Sequence, residues 1–275
     1  MMLRTLGLSL VGVAGLLALP ACKKEEAPPP PSAPPVAARE AREHAASPIQ
    51  PPEAAAPVTP AGKGVVKGTV TFTGTPPPAA DLPANSDPAC EGRADKDESL
   101  LVADGKLRNV LVRIRGSVPG APPAPKAPVV VDQSKCTYVP RVQGAVAGQS
   151  VMFKNSDGTL HNVRGVVSTR AAFNVAQAPS GPPVERKLPT EGDVLKLKCD
   201  IHPWMTAFVV SNPNPYFATT GADGAFSLEG LPAGTYTVEA WHETLGTKTA
   251  EVTVKDDAPA TVDFAFSAPD APAKQ

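Results

Sequence analysis

Short runs in which apolar or β-branched residues alternate with polar ones, each closed by Gly or Pro, limit what this chain can fold into. VVKGTVTFT at 65–73 and VLVRI at 110–114 have this form. So do the stretches 129–131, 150–154, 194–198 and 207–210, and, toward the C-terminus, 225–228, 235–241, 249–254 and 261–266. Residues i and i+2 of a strand share a face, so TYTVEAW puts Tyr236, Val238 and Ala240 on one side and Thr235, Thr237 and Glu239 on the other. The breaks between runs are turn sequences: TPPP, NSDG, GADG and LPAG. No segment sustains an apolar period of 3.6. Many short strands with Gly/Pro turns predict an all-β chain of packed β-sandwiches.

The first sixty residues follow a different rule. Leu6 to Leu19 is a 14-residue apolar run behind Arg4. That is too short to span a bilayer comfortably, and it has the form of an export signal. It ends in Leu19-Pro20-Ala21-Cys22, which resembles the lipobox of bacterial lipoproteins. The resemblance implies removal of residues 1–21, a lipid on Cys22, and a protein held at the periplasmic face of a bacterial membrane. Lys23 and Lys24 follow with no acidic residue directly after Cys22; by resemblance to enterobacterial sorting this points to the outer membrane. Residues 22–62 and 269–275 are rich in Pro, Ala and charge and poor in large apolar residues. They bury too little surface to offset the entropy of ordering, so they read as a disordered tether and tail. His44 is read as a solvated tether residue. The formal net charge of −1 and the lack of any basic stretch argue against a nucleic-acid partner.

The chemistry concentrates near residue 200. In LKLKCDIHPWMTAFVV (195–210) a strand ends in Cys199, His202 follows three residues on, and Met205 three further. Upstream, NSDGTLHN ends another strand-like stretch with His161 and Asn162. Two imidazoles and a thiolate in a trigonal set, with a weak axial thioether, hold copper in both oxidation states with little rearrangement. Zinc sites prefer Cys, His and carboxylate over Met. Pro203 stiffens the loop after His202.

With YVPRVQGAVAGQSVMFKN (138–155), these segments resemble the cupredoxins, the amicyanin-like branch above all. The resemblance implies a Greek-key sandwich over 128–211 and one type 1 copper on His161, Cys199, His202 and Met205. It also implies that Asn162 supports the cysteine sulfur, and that His202 presents an edge near the surface as the electron port. Pro203 and Trp204 are candidate members of the patch around that port, although Trp204 fits the core equally well. Asp157 and Asp200 are expected to be solvated and Met152 to lie in the core. A second resemblance lies in TTGADGAFSLEGLPAGTYTVEA, which looks like the carboxypeptidase regulatory-like domain, a small transthyretin-like sandwich. Its opening strands would be those of 63–127, so the expected organisation is one sandwich built from 63–127 and 212–268 with the copper domain inserted between. The alternative assigns 63–127 to the insert. His242, after a strand of this second sandwich, reads as a satisfied polar residue whose approach to the copper face the sequence leaves open.

Of four cysteines, Cys22 goes to lipid and Cys199 to metal. Cys90 and Cys136 then remain as a disulfide in an oxidising compartment. No G-x-S-x-G elbow, nucleophile–base pairing or H-E-x-x-H motif is present in the sequence, and no enzymatic activity is expected. The expected function is one-electron transfer at the cell envelope with a redox protein such as a cytochrome as partner. The alternatives are copper sequestration or delivery without a redox role, and an envelope structural or adhesion protein with a vestigial metal site.

Overall fold

The computed structural model describes residues 61–188 and 194–268. The export signal, Cys22, His44, nearly all of the tether and the tail lie outside the described residues. Among the described residues no helix is long and apolar enough to cross a membrane.

Four strands lead: β1 (Gly64–Thr73), β2 (Val102–Ala103), β3 (Lys106–Leu107) and β4 (Leu111–Ile114). Nine follow in the middle: β5 (Val129–Ser134), β6 (Thr137–Val139), β7 (Val142–Val146), β8 (Ser150–Asn155), β9 (His161–Val167), β10 (Arg170–Gln177), β11 (Val184–Lys187), β12 (Val194–Lys198) and β13 (Thr206–Asn212). Six close the chain: β14 (Phe217–Thr219), β15 (Ala225–Leu231), β16 (Gly234–His242), β17 (Gly246–Val254), β18 (Ala260–Thr261) and β19 (Phe264–Ser267).

The leading and closing strands pair with each other. One sheet runs β15-β1-β3-β2, with β18 and β19 parallel to β1, and the other runs β14-β4-β16-β17. Between them lies a core that includes Val66, Val70, Leu107, Val112, Ile114, Phe226, Leu228, Val238 and Phe266. The middle strands make a second sandwich, with sheets β10-β9-β12-β13-β7 and β11-β8-β5-β6. Its core includes Val131, Tyr138, Phe153, Val163, Leu195, Leu197 and Val209. Met152, expected inside, is half-buried, because Val151 and Phe153 on either side of it take the inward positions of β8. The run expected at 261–266 is broken: Asp263 leaves the sheet edge and its carboxylate accepts from the Thr69 amide at 2.7 Å.

A third apolar cluster joins the sandwiches. Leu111 of β4 packs with Val142, Phe208 and Val210 of the middle strands, and Phe217 and Trp241 close over them. The Phe208 and Trp241 rings meet edge to face at 5.5 Å. Gly144 lets β7 approach Phe217 here: a Cβ at that position would lie 2.4 Å from the ring. Glu239, on the outward face by alternation, is nonetheless buried. It binds Arg113 and Arg115, and Arg113 reaches across to Ser211 O and Asn212 Oδ1 of β13. Arg141 and Glu243 add a two-pronged ion pair over the same seam. Buried charges persist where they are paired in this way.

Candidate metal centre

β12 is antiparallel to both β9 and β13, so the end of β12, the start of β9 and the start of β13 come to one edge of the sheet. His161 is the first residue of β9, and Cys199 follows the last residue of β12. The loop 199–205 folds back on itself between the paired residues Lys198 and Thr206. The Met205 amide donates to His202 O at 2.9 Å and the Cys199 amide to Met205 O at 3.4 Å. A loop closed this tightly turns Cys199, His202 and Met205 inward, and all three are buried.

His161, Cys199 and His202 place one donor atom each within 4.8 Å of one another. The two imidazoles face each other through Nδ1 at 2.9 Å, and Cys199 Sγ lies 3.8 Å from His202 Nδ1. Metal–nitrogen bonds of ~2.0 Å and a metal–sulfur bond of ~2.3 Å fit a donor set of this spread. Each far nitrogen, Nε2, meets a carboxylate: Asp157 at 2.9 Å from His161 and Asp87 at 3.3 Å from His202. A carboxylate accepts, so both Nε2 atoms are the donors and both Nδ1 lone pairs point at one spot beside a sulfur. Two lone pairs so close call for a cation or a proton between them, and the soft sulfur–imidazole set suits copper. Burial pushes the His161 imidazole below its ordinary value, against the opposing pull of Asp157, so the ring is held neutral and able to ligate. Met205 is fully buried in the same core as Cys199.

The surroundings differ from expectation at two points, the edge of His202 and the burial of Asp157. His202 is 2% exposed, so its edge does not reach solvent. The segment 74–101, which links β1 to β2, lies over it and brings Asp87 to its Nε2. Asn162 lies beside the sulfur. The Cys199 thiol donates to Asn162 Oδ1 at 3.4 Å, and the donor to Sγ is the His202 amide, also at 3.4 Å. Asn162 Oδ1 also takes the Asp200 amide at 2.7 Å, tying β9 to the loop. Asp157 is buried rather than solvated: it accepts the amides of Lys135 and Cys136 at 2.6 and 2.9 Å as well as His161. Asp200 is exposed. Burial works against its ionised form, but hydrogen bonds from Asn174, Arg164 and Asn162 hold its carboxyl below the usual range.

Pro203 is exposed and Trp204 is partly buried. Trp204 packs on His202 with ring centroids 5.2 Å apart, and its Nε1 donates to Cys136 O at 2.9 Å. The Arg93 guanidinium covers its outer face at 4.1 Å. Cys90 and Cys136 are disulfide-bonded. His242 lies in the other sandwich, beside Phe266, where its Nδ1 accepts from the amides of Thr244 and Leu245.

The model of the carboxypeptidase regulatory-like domain matches residues 206–267. No curated protein matches the chain. Among solved structures, a purple cupredoxin from Nitrosopumilus maritimus is 19% identical, over 30% of this chain and 99% of that one, with a TM-score of 0.26. A Cu(I)-form variant of amicyanin is 24% identical over 37% of this chain and 98% of its own, with a TM-score of 0.29. A reduced amicyanin variant is 24% identical over 31% and 83%, with a TM-score of 0.28. The chain is an all-β protein of two joined β-sandwiches, and residues 206–267 match the carboxypeptidase regulatory-like domain.

Proposed function

We propose that this protein is a type 1 copper electron carrier of the bacterial cell envelope. The observation that supports it is the convergence of His161 Nδ1, His202 Nδ1 and Cys199 Sγ on one buried point, with both outer nitrogens held by carboxylates. When bound, copper supplies a one-electron couple whose two states share nearly one geometry. His161, Cys199 and His202 would hold one ion per chain, with the Met205 thioether as a further, weaker donor. Asp157 and Asp87 orient the rings, Asn162 fixes the loop, and the packed core excludes water. Export, lipidation at Cys22 and attachment to the periplasmic face, at the outer membrane, complete the reading. The partner is then a redox protein such as a cytochrome.

Full-length protein titrated with Cu(II) is expected to bind one equivalent, to develop an intense visible sulfur-to-copper charge-transfer band, and to cycle reversibly. Cys199→Ser is expected to abolish the band. A band that survives this substitution would refute the ligand assignment. The closed edge of His202 favours a second reading, copper sequestration or delivery; copper uptake without reversible cycling would select it.

A further inference from the structure

Segment 74–101 belongs by chain to the sandwich built around β1, yet its middle lies on the metal end of the other. It is a defined structure: the Leu82 amide donates to Asp95 O, the Asp97 amide donates to Ala80 O, and Lys96 pairs with Asp81. Two attachments fasten it to the metal end, the Cys90–Cys136 disulfide and the Arg93 guanidinium stacked on Trp204. A turn of 3-10 helix, Pro88–Cys90, ends at the first of these and is capped by Asp87. Both carboxylate oxygens of Asp87 are committed. Oδ1 accepts the Ala89 amide at 2.9 Å; Oδ2 accepts the Thr159 hydroxyl at 2.7 Å and faces His202 Nε2 at 3.3 Å. Ile201 and Pro203, on either side of His202, are exposed, whereas the ring between them is covered.

We propose that Asp87 is a positioning residue for the copper site, carried in by this strap from the neighbouring sandwich, and that the strap shuts His202 off from solvent. The proposal rests on the copper reading. A carboxylate on the far nitrogen fixes the tautomer that leaves Nδ1 free, sets the ring plane and makes the imidazole a stronger ligand. Its negative charge also favours the more positive oxidation state of a metal held by that ring. Asp157 does the same for His161 from within the insert, whereas the partner of His202 comes from another sandwich. The site is therefore complete only when both sandwiches are docked.

The test uses full-length protein and the variants Asp87→Asn, Asp87→Ala and Cys90→Ala/Cys136→Ala. In the metal-free protein, acylation of His202 by diethyl pyrocarbonate is followed by peptide mass spectrometry. His242, buried in the other sandwich, serves as an internal control for global unfolding. Wild type and Asp87→Asn are expected to protect His202. Asp87→Ala and the double cysteine variant are expected to speed its modification severalfold with His242 unchanged. In the copper-loaded protein at fixed ambient potential, Asp87→Asn is expected to raise the Cu(I)/Cu(II) ratio severalfold while keeping the charge-transfer band. A wild type that colours normally, but whose His202 reacts at the unfolded rate, overturns the proposal. So does one whose Cu(I)/Cu(II) ratio is unmoved by Asp87→Asn. A wild type that never takes up copper overturns the copper reading, and the positioning role with it.

Discussion

His242 shows how a single buried ring couples this fold to pH. Burial, with the nearby Arg141 charge adding to it, pushes its imidazole down to about 4. A free chain binds the proton near pH 6.5. Between those values the unfolded chain holds more protons than the folded one, so stability is intact above about 6.5 and falls as the pH drops toward 4. The loss reaches about 3 kcal/mol for this one residue. His242→Asn keeps an acceptor near Nδ1 for the Thr244 and Leu245 amides and cannot be protonated. Denaturant midpoints at neutral and acid pH are expected to lie closer together in this variant than in wild type. An unchanged difference would place the acid sensitivity elsewhere, His161 being the next buried imidazole. Residues of this kind are hard to read from sequence. The spacing of Cys199, His202 and Met205 is local and was legible, and His161 could be found from the NSDG turn before it. Asp157 stands four residues ahead of His161 in that same turn, but as an NSDG turn it reads as solvent-facing. It is buried because the Lys135 and Cys136 amides need an acceptor, and nothing in the sequence states that pairing. Asp87 is 115 residues from His202 in a proline-rich stretch, where no periodicity or motif marks it.

Among the elements, strands with one buried face were the most legible, because alternation records which face packs. β1, β8 and β15 follow their patterns. Glu239 departs from its pattern because the outward face of β16 is covered by Arg113 and the seam behind it. The strap 74–101 carries no alternation at all, since disulfide, cap and cation–π contact hold it where a sheet would hold a strand. The cross-link spans 46 residues. In the chain-entropy account a loop of that size contributes about 4 kcal/mol. Cys90→Ala/Cys136→Ala is therefore expected to lower the unfolding free energy by an amount of that order, measured by urea denaturation. A loss close to zero would mean that the Arg93 and Asp87 contacts hold the strap by themselves.

For the molecule as a whole, the seam decides whether two sandwiches behave as one. Leu111, Phe208, Phe217 and Trp241 bury apolar surface that neither sandwich covers alone, and the Arg113–Glu239 and Arg141–Glu243 pairs lock it. A single cooperative unfolding transition is expected, followed by calorimetry of the metal-free protein. Gly144→Ala forces a methyl into the Phe217 ring and is expected to split that transition in two; a transition that stays single would show that the seam tolerates the displacement. The family match at 206–267 omits β1, β3 and β4, which complete the same core from the far side of the middle sandwich in the chain. One further consequence follows from the Cys90–Cys136 bond, which joins neighbouring cysteines in chain order. In a polypeptide threaded through a membrane from its N-terminus, both sulfurs emerge and can be oxidised together while residue 199 is still behind the translocation pore. Cys199, free in the folded chain, would then arrive after its rivals had already married, with no scrambled bridge left to undo.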